Sequence, residues 1–212
     1  MMQMRTIFTT GRRPHGGAAL HRWLLAFLLS SGVAFAGGAA WFDGNGEPLP
    51  ETSARKTVDG FGGWLLVTPD PDWSRNWYRP PERRPTLPEA RYVGYGDRVT
   101  ILAFYTNPAT DDEGRIDIRC SVRVIRPGGE VSASSEERQC ADPDLAGDLQ
   151  ATRISWAVVD YVGETSDPPG RWVVEVVLTD AVRDVSLSLT TDFVLTGGSV
   201  MRDRAVHPGG AA

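Results

Sequence analysis

Apolar and polar side chains alternate with a period of two in three stretches of the chain, and each stretch predicts a strand with one buried and one wet face. In residues 116–124 the apolar set is Ile116, Ile118, Cys120, Val122 and Val124, with Asp117, Arg119, Ser121 and Arg123 opposite. Residues 172–178 place Trp172, Val174, Val176 and Leu178 on one face, against Glu175. Residues 185–195 align Val185, Leu187, Leu189, Phe193 and Leu195 against Ser186, Ser188, Thr190 and Asp192. Two continuous apolar runs, GWLLVT at 63–68 and VTILAFY at 99–105, predict central strands. Residues 130–134 and 152–161 complete the set, and no segment shows a helical period. About seven short strands with turns between them predict an all-β fold, an immunoglobulin/fibronectin III-like two-sheet sandwich over residues 61–196.

The turn residues agree with this outline. Arg126-Pro127-Gly128-Gly129 carries Pro at i+1 and Gly at i+2, the chemistry of a type II turn. It would fold 130–134 back on the preceding strand and bring Cys140 towards Cys120. In Asp167-Pro168-Pro169-Gly170 the second proline is disfavoured at i+2 of a type I turn, which leaves trans and cis Pro169 both open. The Gly-rich Asp59-Gly60-Phe61-Gly62-Gly63 precedes a strand, so it reads as a flexible entry into the first strand; a phosphate loop must instead lead from strand to helix.

Residues 1–36 read as a signal peptide. Arg5, Arg12, Arg13 and Arg22 precede the apolar run WLLAFLLSSGVAFA, which ends in the small-x-small site Ala34-Phe35-Ala36. The run is shorter than the roughly 20 apolar residues of a bilayer span, so export by the general secretory route is expected, with no stable membrane span after cleavage. Residues 37–60 then form an extended N-terminal arm, and 197–212 a Gly-rich flexible tail. Export changes the charge balance of the chain. The 212 residues carry 22 basic and 27 acidic side chains, and loss of the four leader arginines leaves 18 against 27, net −9. Nucleic acid is therefore a poor partner. An oxidising compartment also makes a Cys120–Cys140 disulfide the default for the only two cysteines.

The three histidines are His15, His21 and His207, two in the leader and one in the tail. A core without imidazole lacks the usual general base near neutral pH, the partner for Ser-His or Cys-His pairs, and the commonest zinc ligand. No catalytic residue, metal site or cofactor is expected. Ser53-Ala54-Arg55-Lys56 matches the S-x-x-K acylating motif, but Lys56 is the sole lysine, so the companion Lys-Thr-Gly element is missing. The carboxylates at 111–113 and at Asp142, Asp144 and Asp148 read as solvated loop charge.

The most unusual stretch runs from residue 70 to 91, DPDWSRNWYRPPERRPTLPEAR. It gathers Trp73, Trp77 and Tyr78 with Arg75 and Arg79, residue types that dominate interface energetics, on a proline-stiffened loop. These five form the candidate binding surface. The competing account is that the aromatics cap an open end of the sandwich.

GWLLVTPDPDW-x3-W, Tyr105-Thr106-Asn107-Pro108, Arg126-Pro127-Gly128-Gly129 and Asp167-Pro168-Pro169-Gly170-Arg171-Trp172 together resemble a family of exported, uncharacterised proteobacterial proteins with a predicted β-sandwich. The likeness spans residues 60–195 and implies compartment and fold; it carries over no activity. The run 167–195 is also similar to the last two strands of fibronectin type III-like and macroglobulin-like domains. The resulting expectation is a periplasmic, non-catalytic binding protein whose partner is an unknown periplasmic protein or glycan. The alternatives are a carboxylate-based glycan-active enzyme and an assembly subunit that pairs through a sheet edge.

Overall fold

The computed structural model describes residues 41–42, 46–80, 86–145 and 147–198. The expected signal peptide and nearly all of the expected tail lie outside the described residues. Strands β1 (Arg55–Val58), β2 (Phe61–Thr68), β4 (Arg98–Thr106) and β7 (Arg153–Val162) form one sheet in the order β1-β2-β4-β7. Strands β3 (Tyr92–Gly94), β5 (Ile118–Ile125), β6 (Val131–Gln139), β8 (Gly170–Asp180) and β9 (Val185–Thr196) form the other, in the order β3-β9-β8-β5-β6. A one-turn helix, α1 (Trp73–Trp77), lies between β2 and β3.

All seven expected strands are present, and two more join them. The segment read as an extended arm ends in β1, which pairs antiparallel with β2. Asp59-Gly60, read as a flexible entry, is the two-residue turn of that hairpin, with φ of 49° and 80°. A strand as short as β3 carries too little alternation to signal itself. It pairs parallel with β9, while the segment leading to it lies against β2, where the Ala90 amide donates to the Val67 carbonyl at 2.8 Å. One edge segment thus passes from the first sheet to the second, as in immunoglobulin-like sandwiches. The expected type II turn is corrected by the backbone: the positive φ (87°) belongs to Gly129, not Gly128, and the Arg126 amide donates to the Glu130 carbonyl at 2.9 Å. This is a turn followed by a left-handed bulge residue. The peptide bond before Pro169 is trans.

The core lies between the sheets. The alternating positions read from sequence point inward: Ile118, Cys120, Val122 and Val124 from β5, Trp172, Val174, Val176 and Leu178 from β8, and Leu187, Leu189, Phe193 and Leu195 from β9. Phe61, Leu65 and Val67 of β2 and Val99, Ile101, Ala103 and Tyr105 of β4 meet them from the other sheet. At Gly63 any Cβ would come within 2.9 Å of Leu187 and Leu189, so glycine allows β2 to approach β9 closely.

Polar residues fix the two ends of the sandwich. Asp180 has no solvent exposure, and its carboxylate accepts from the Ala109 and Arg183 amides at 2.7 and 3.1 Å, with the Arg183 guanidinium at 3.6 Å. Arg183 in turn donates to the carbonyls of Asp59 and Asn107, tying the β8–β9 turn to the β1–β2 hairpin. At the opposite end the Tyr161 hydroxyl donates to Asp167 at 3.0 Å, and the Trp172 indole donates to the Pro168 carbonyl at 3.2 Å. The D-P-P-G-R-W motif therefore anchors two large aromatic core residues.

One side of the sandwich is closed by two backbone staples. The Ala54 carbonyl accepts from Leu65 of β2 at 2.8 Å, while its neighbour Ser53 accepts from Thr190 of β9 at 2.8 Å. Further along, Ala90 donates to Val67 of β2, and its neighbour Arg91 accepts from Val194 of β9, again at 2.8 Å.

Cys120 of β5 and Cys140, just beyond β6, are joined in a disulfide with Cα atoms 5.7 Å apart. The bond spans a sequence separation of 20 residues. Thiol titration of the unfolded, unreduced protein should find no free SH, and replacing both cysteines with serine should lower stability by about 3 kcal/mol in chemical denaturation.

Burial pushes the Tyr105 phenol up to about 12, and burial followed by the hydrogen bond to Asp167 raises that of Tyr161. Both shifts favour the neutral form in the folded state. Their stabilisation is fully present below the ordinary phenol value of about 10 and is lost as pH rises beyond it. Phenolate absorbance during alkaline titration should show these two tyrosines ionising only together with loss of the fold. Ionisation of Tyr105 or Tyr161 at about pH 10 in a folded protein would contradict this assignment.

Candidate functional site

The loop after β2 turns into α1 through Asp70. Its Oδ1 accepts from the Asp72 amide at 2.8 Å, and its Oδ2 accepts from the Asn76 side chain at 2.7 Å. Asp72 and Ser74 carbonyls then accept the amides of Asn76 and Tyr78, closing just over one helical turn. Positions i and i+4 of a helix share a face, and in α1 these are Trp73 and Trp77. Both indoles lie half-buried against Leu66, Leu102 and Phe104 on the outer face of the four-stranded sheet. The Trp77 ring sits 4.9 Å from Phe104, Phe104 stacks 4.9 Å from Trp64, and Trp64 meets the edge of Trp41 at 6.0 Å.

Residues 41–42 and 46–50 complete this roof. The Leu49 amide donates to the Trp41 carbonyl at 2.9 Å, and the Trp41 indole donates to the Lys56 carbonyl at 3.3 Å. Leu49 and Leu87 join the same apolar cluster. The five residues selected from sequence therefore divide. Trp73 and Trp77 face the sheet. Tyr78 is 75% exposed, Arg79 is exposed, and Arg75 sits in solvent beside Asp72 at 3.4 Å. A helix of one turn is too short to show a period in sequence, so the division was not legible there.

The other candidates resolve simply. Ser53 and Lys56 do not share a helix; Lys56 is in β1 and donates to the Ser188 carbonyl at 2.7 Å. The loop acids are exposed or half-exposed, with Arg115 near Asp144 and Glu113 at 3.4 and 3.9 Å. Among the described residues no group of three or more His, Cys, Asp or Glu is placed to hold a metal ion. No described helix is long and apolar enough to cross a membrane.

A cleft absent from the sequence reading opens between the two backbone staples. It encloses about 530 Å³ and is lined from four separate segments, including Ser53, Trp64, Glu89, Tyr92 and Thr191. Only the fold brings these positions together, so no local signal marks them.

No protein-family model matches the chain, and no curated protein matches it. Among solved structures, a family 123 glycoside hydrolase from Clostridium perfringens aligns at 10% identity over 65% of this chain and 28% of that one, TM-score 0.38. The alkylpurine DNA glycosylase AlkC of Pseudomonas fluorescens, bound to DNA containing an abasic site analog, aligns at 16% identity over 63% and 29%, TM-score 0.32. The chain spans less than a third of either protein, and likenesses this distant carry nothing about its chemistry.

The packing of Trp77 has a measurable consequence. Trp77→Ala should cost about 2 kcal/mol in chemical denaturation, below the ~3–5 of a fully buried Trp, whereas Tyr78→Ala should leave the midpoint unchanged.

Proposed function

We propose that the protein is an exported, non-catalytic interaction module of the periplasm, belonging to the exported proteobacterial family that its motifs resemble. The expected leader and the disulfide support export. The surface of contact is the solvent side of α1 and its C-terminal end: Tyr78, Arg79 and Arg75.

One observation carries this reading. Tyr78 stands 75% exposed immediately after a helical turn that Trp73 and Trp77 pin to the sheet. A large exposed aromatic flanked by arginines is the composition of an interface anchor. A pinned backbone lowers the ordering cost of using it. Arg75 is paired with Asp72 at 3.4 Å, which leaves Arg79 as the basic group beside Tyr78 on a body of net charge −9 after leader removal, suited to an acidic protein or glycan surface.

The test separates anchoring from folding. Crosslinking in intact cells followed by mass spectrometry should capture a partner with the parent protein. The double variant Tyr78→Ala, Arg79→Ala should lose that capture with the same melting temperature. Unchanged capture by a stable double variant would remove α1 as the contact surface.

A further inference from the structure

The cleft between the staples is lined by none of the α1 residues. Its shape excludes one occupant directly. A peptide that adds as a strand needs a continuous run of edge backbone. Here the staples occupy Leu65 and Val67 of β2, and Thr190 and Val194 of β9, so no such run is free between them. A compact ligand fits instead, and about 530 Å³ lies within the roughly 300–1,000 Å³ of small-molecule sites.

The lining decides the class. Arg55, Arg91, Glu89 and Asp192 sum to zero charge, so nothing favours a phosphate or a carboxylate ligand. Arg55 is already engaged by the Pro50 carbonyl at 2.9 Å. Asp192 accepts from Arg171 at 3.0 Å through one carboxylate oxygen, and Glu89 lies 3.9 Å from Arg91; the second Asp192 oxygen, the exposed Glu89–Arg91 pair and the hydroxyls of Ser53 and Thr191 supply acceptors and donors along the lining. Tyr92, 58% exposed, adds aromatic surface, and Trp64, stacked on Phe104, belongs to the lining at the inner end of the cleft. Dense, mixed donors and acceptors beside aromatic surface complement a ligand with many vicinal hydroxyls and an apolar C–H face.

We propose that this cleft binds a neutral saccharide of disaccharide size, with Tyr92 against a ring face and Glu89, Asp192 and Arg91 on its hydroxyls.

The experiment is a titration of the full chain followed by intrinsic tryptophan fluorescence, for which Trp64 is the local reporter. The probes are maltose, cellobiose and diacetylchitobiose, set against digalacturonate and the peptide Ala-Ala-Ala. At least one neutral disaccharide should give a saturable change at millimolar or lower concentration. Glu89→Gln should weaken that binding roughly tenfold, and Ser53→Trp, which fills the cleft, should abolish it. The Tyr78→Ala, Arg79→Ala variant should bind the sugar like the parent, which keeps this outcome separate from partner capture. The proposal is overturned if no neutral disaccharide saturates, or if digalacturonate or the peptide binds as well. It is equally overturned if Ser53→Trp, folded by circular dichroism, binds unchanged; should that variant not fold, an undiminished affinity in Glu89→Gln decides against it.

Discussion

The central pair β2–β4 has no wet face, and the rest of the structure follows from that constraint. An ordinary sandwich sheet buries one side and leaves the other in water. Here Leu65, Val67, Ile101 and Tyr105 point into the inter-sheet core, while Trp64, Leu66, Leu102 and Phe104 point the other way and are equally apolar. Exposed side by side, those four would form the kind of contiguous patch that drives association. They require a roof, and the chain supplies it from both flanks: Trp41 and Leu49 before β1, and Trp73, Trp77 and Leu87 after β2. Each flank is proline-rich and irregular, yet each is committed to covering the same surface.

This roof couples to the side of the molecule. The segments that carry the covering residues continue into the two backbone staples, at Ser53–Ala54 and at Ala90–Arg91. Because adjacent residues reach opposite sheets, each staple fixes the separation of β2 and β9 without a side-chain contact. The space between the staples is consequently a preformed opening, bounded by backbone on both ends. One of its lining residues, Trp64, is also the middle of the Trp41–Trp64–Phe104 ladder under the roof. Roof and cleft share a residue, so the covering layer that satisfies an apolar demand also sets the geometry of a polar one.

The sequence spelled out the inter-sheet core because alternation is local. Residues 116–124, 172–178 and 185–195 each declare their buried face within a single stretch of chain. The two continuous runs declared burial on both faces, but not what provides the second cover. That cover comes from α1, a single turn whose two tryptophans cannot establish a period, and from an arm whose glycines and prolines resemble a free linker. β3 escaped notice because three residues show no alternation. The cleft was illegible for a different reason: Ser53, Trp64, Glu89 and Thr191 are far apart in the chain and meet only through the strand order.

The same constraint explains why Trp73 and Trp77 face the sheet. Tryptophan and arginine in a proline-stiffened loop have interface composition, but composition does not give direction. Direction follows from two facts taken together: a neighbouring strand with no polar face, and a spacing of four that places both indoles on one side of a helical turn. Tyr78, one residue beyond the helix and out of phase with the pair, stays in water. A pair of aromatics at helical spacing beside a doubly apolar strand should accordingly be assigned first to cover that strand, and only residues out of phase with the pair assigned to a partner.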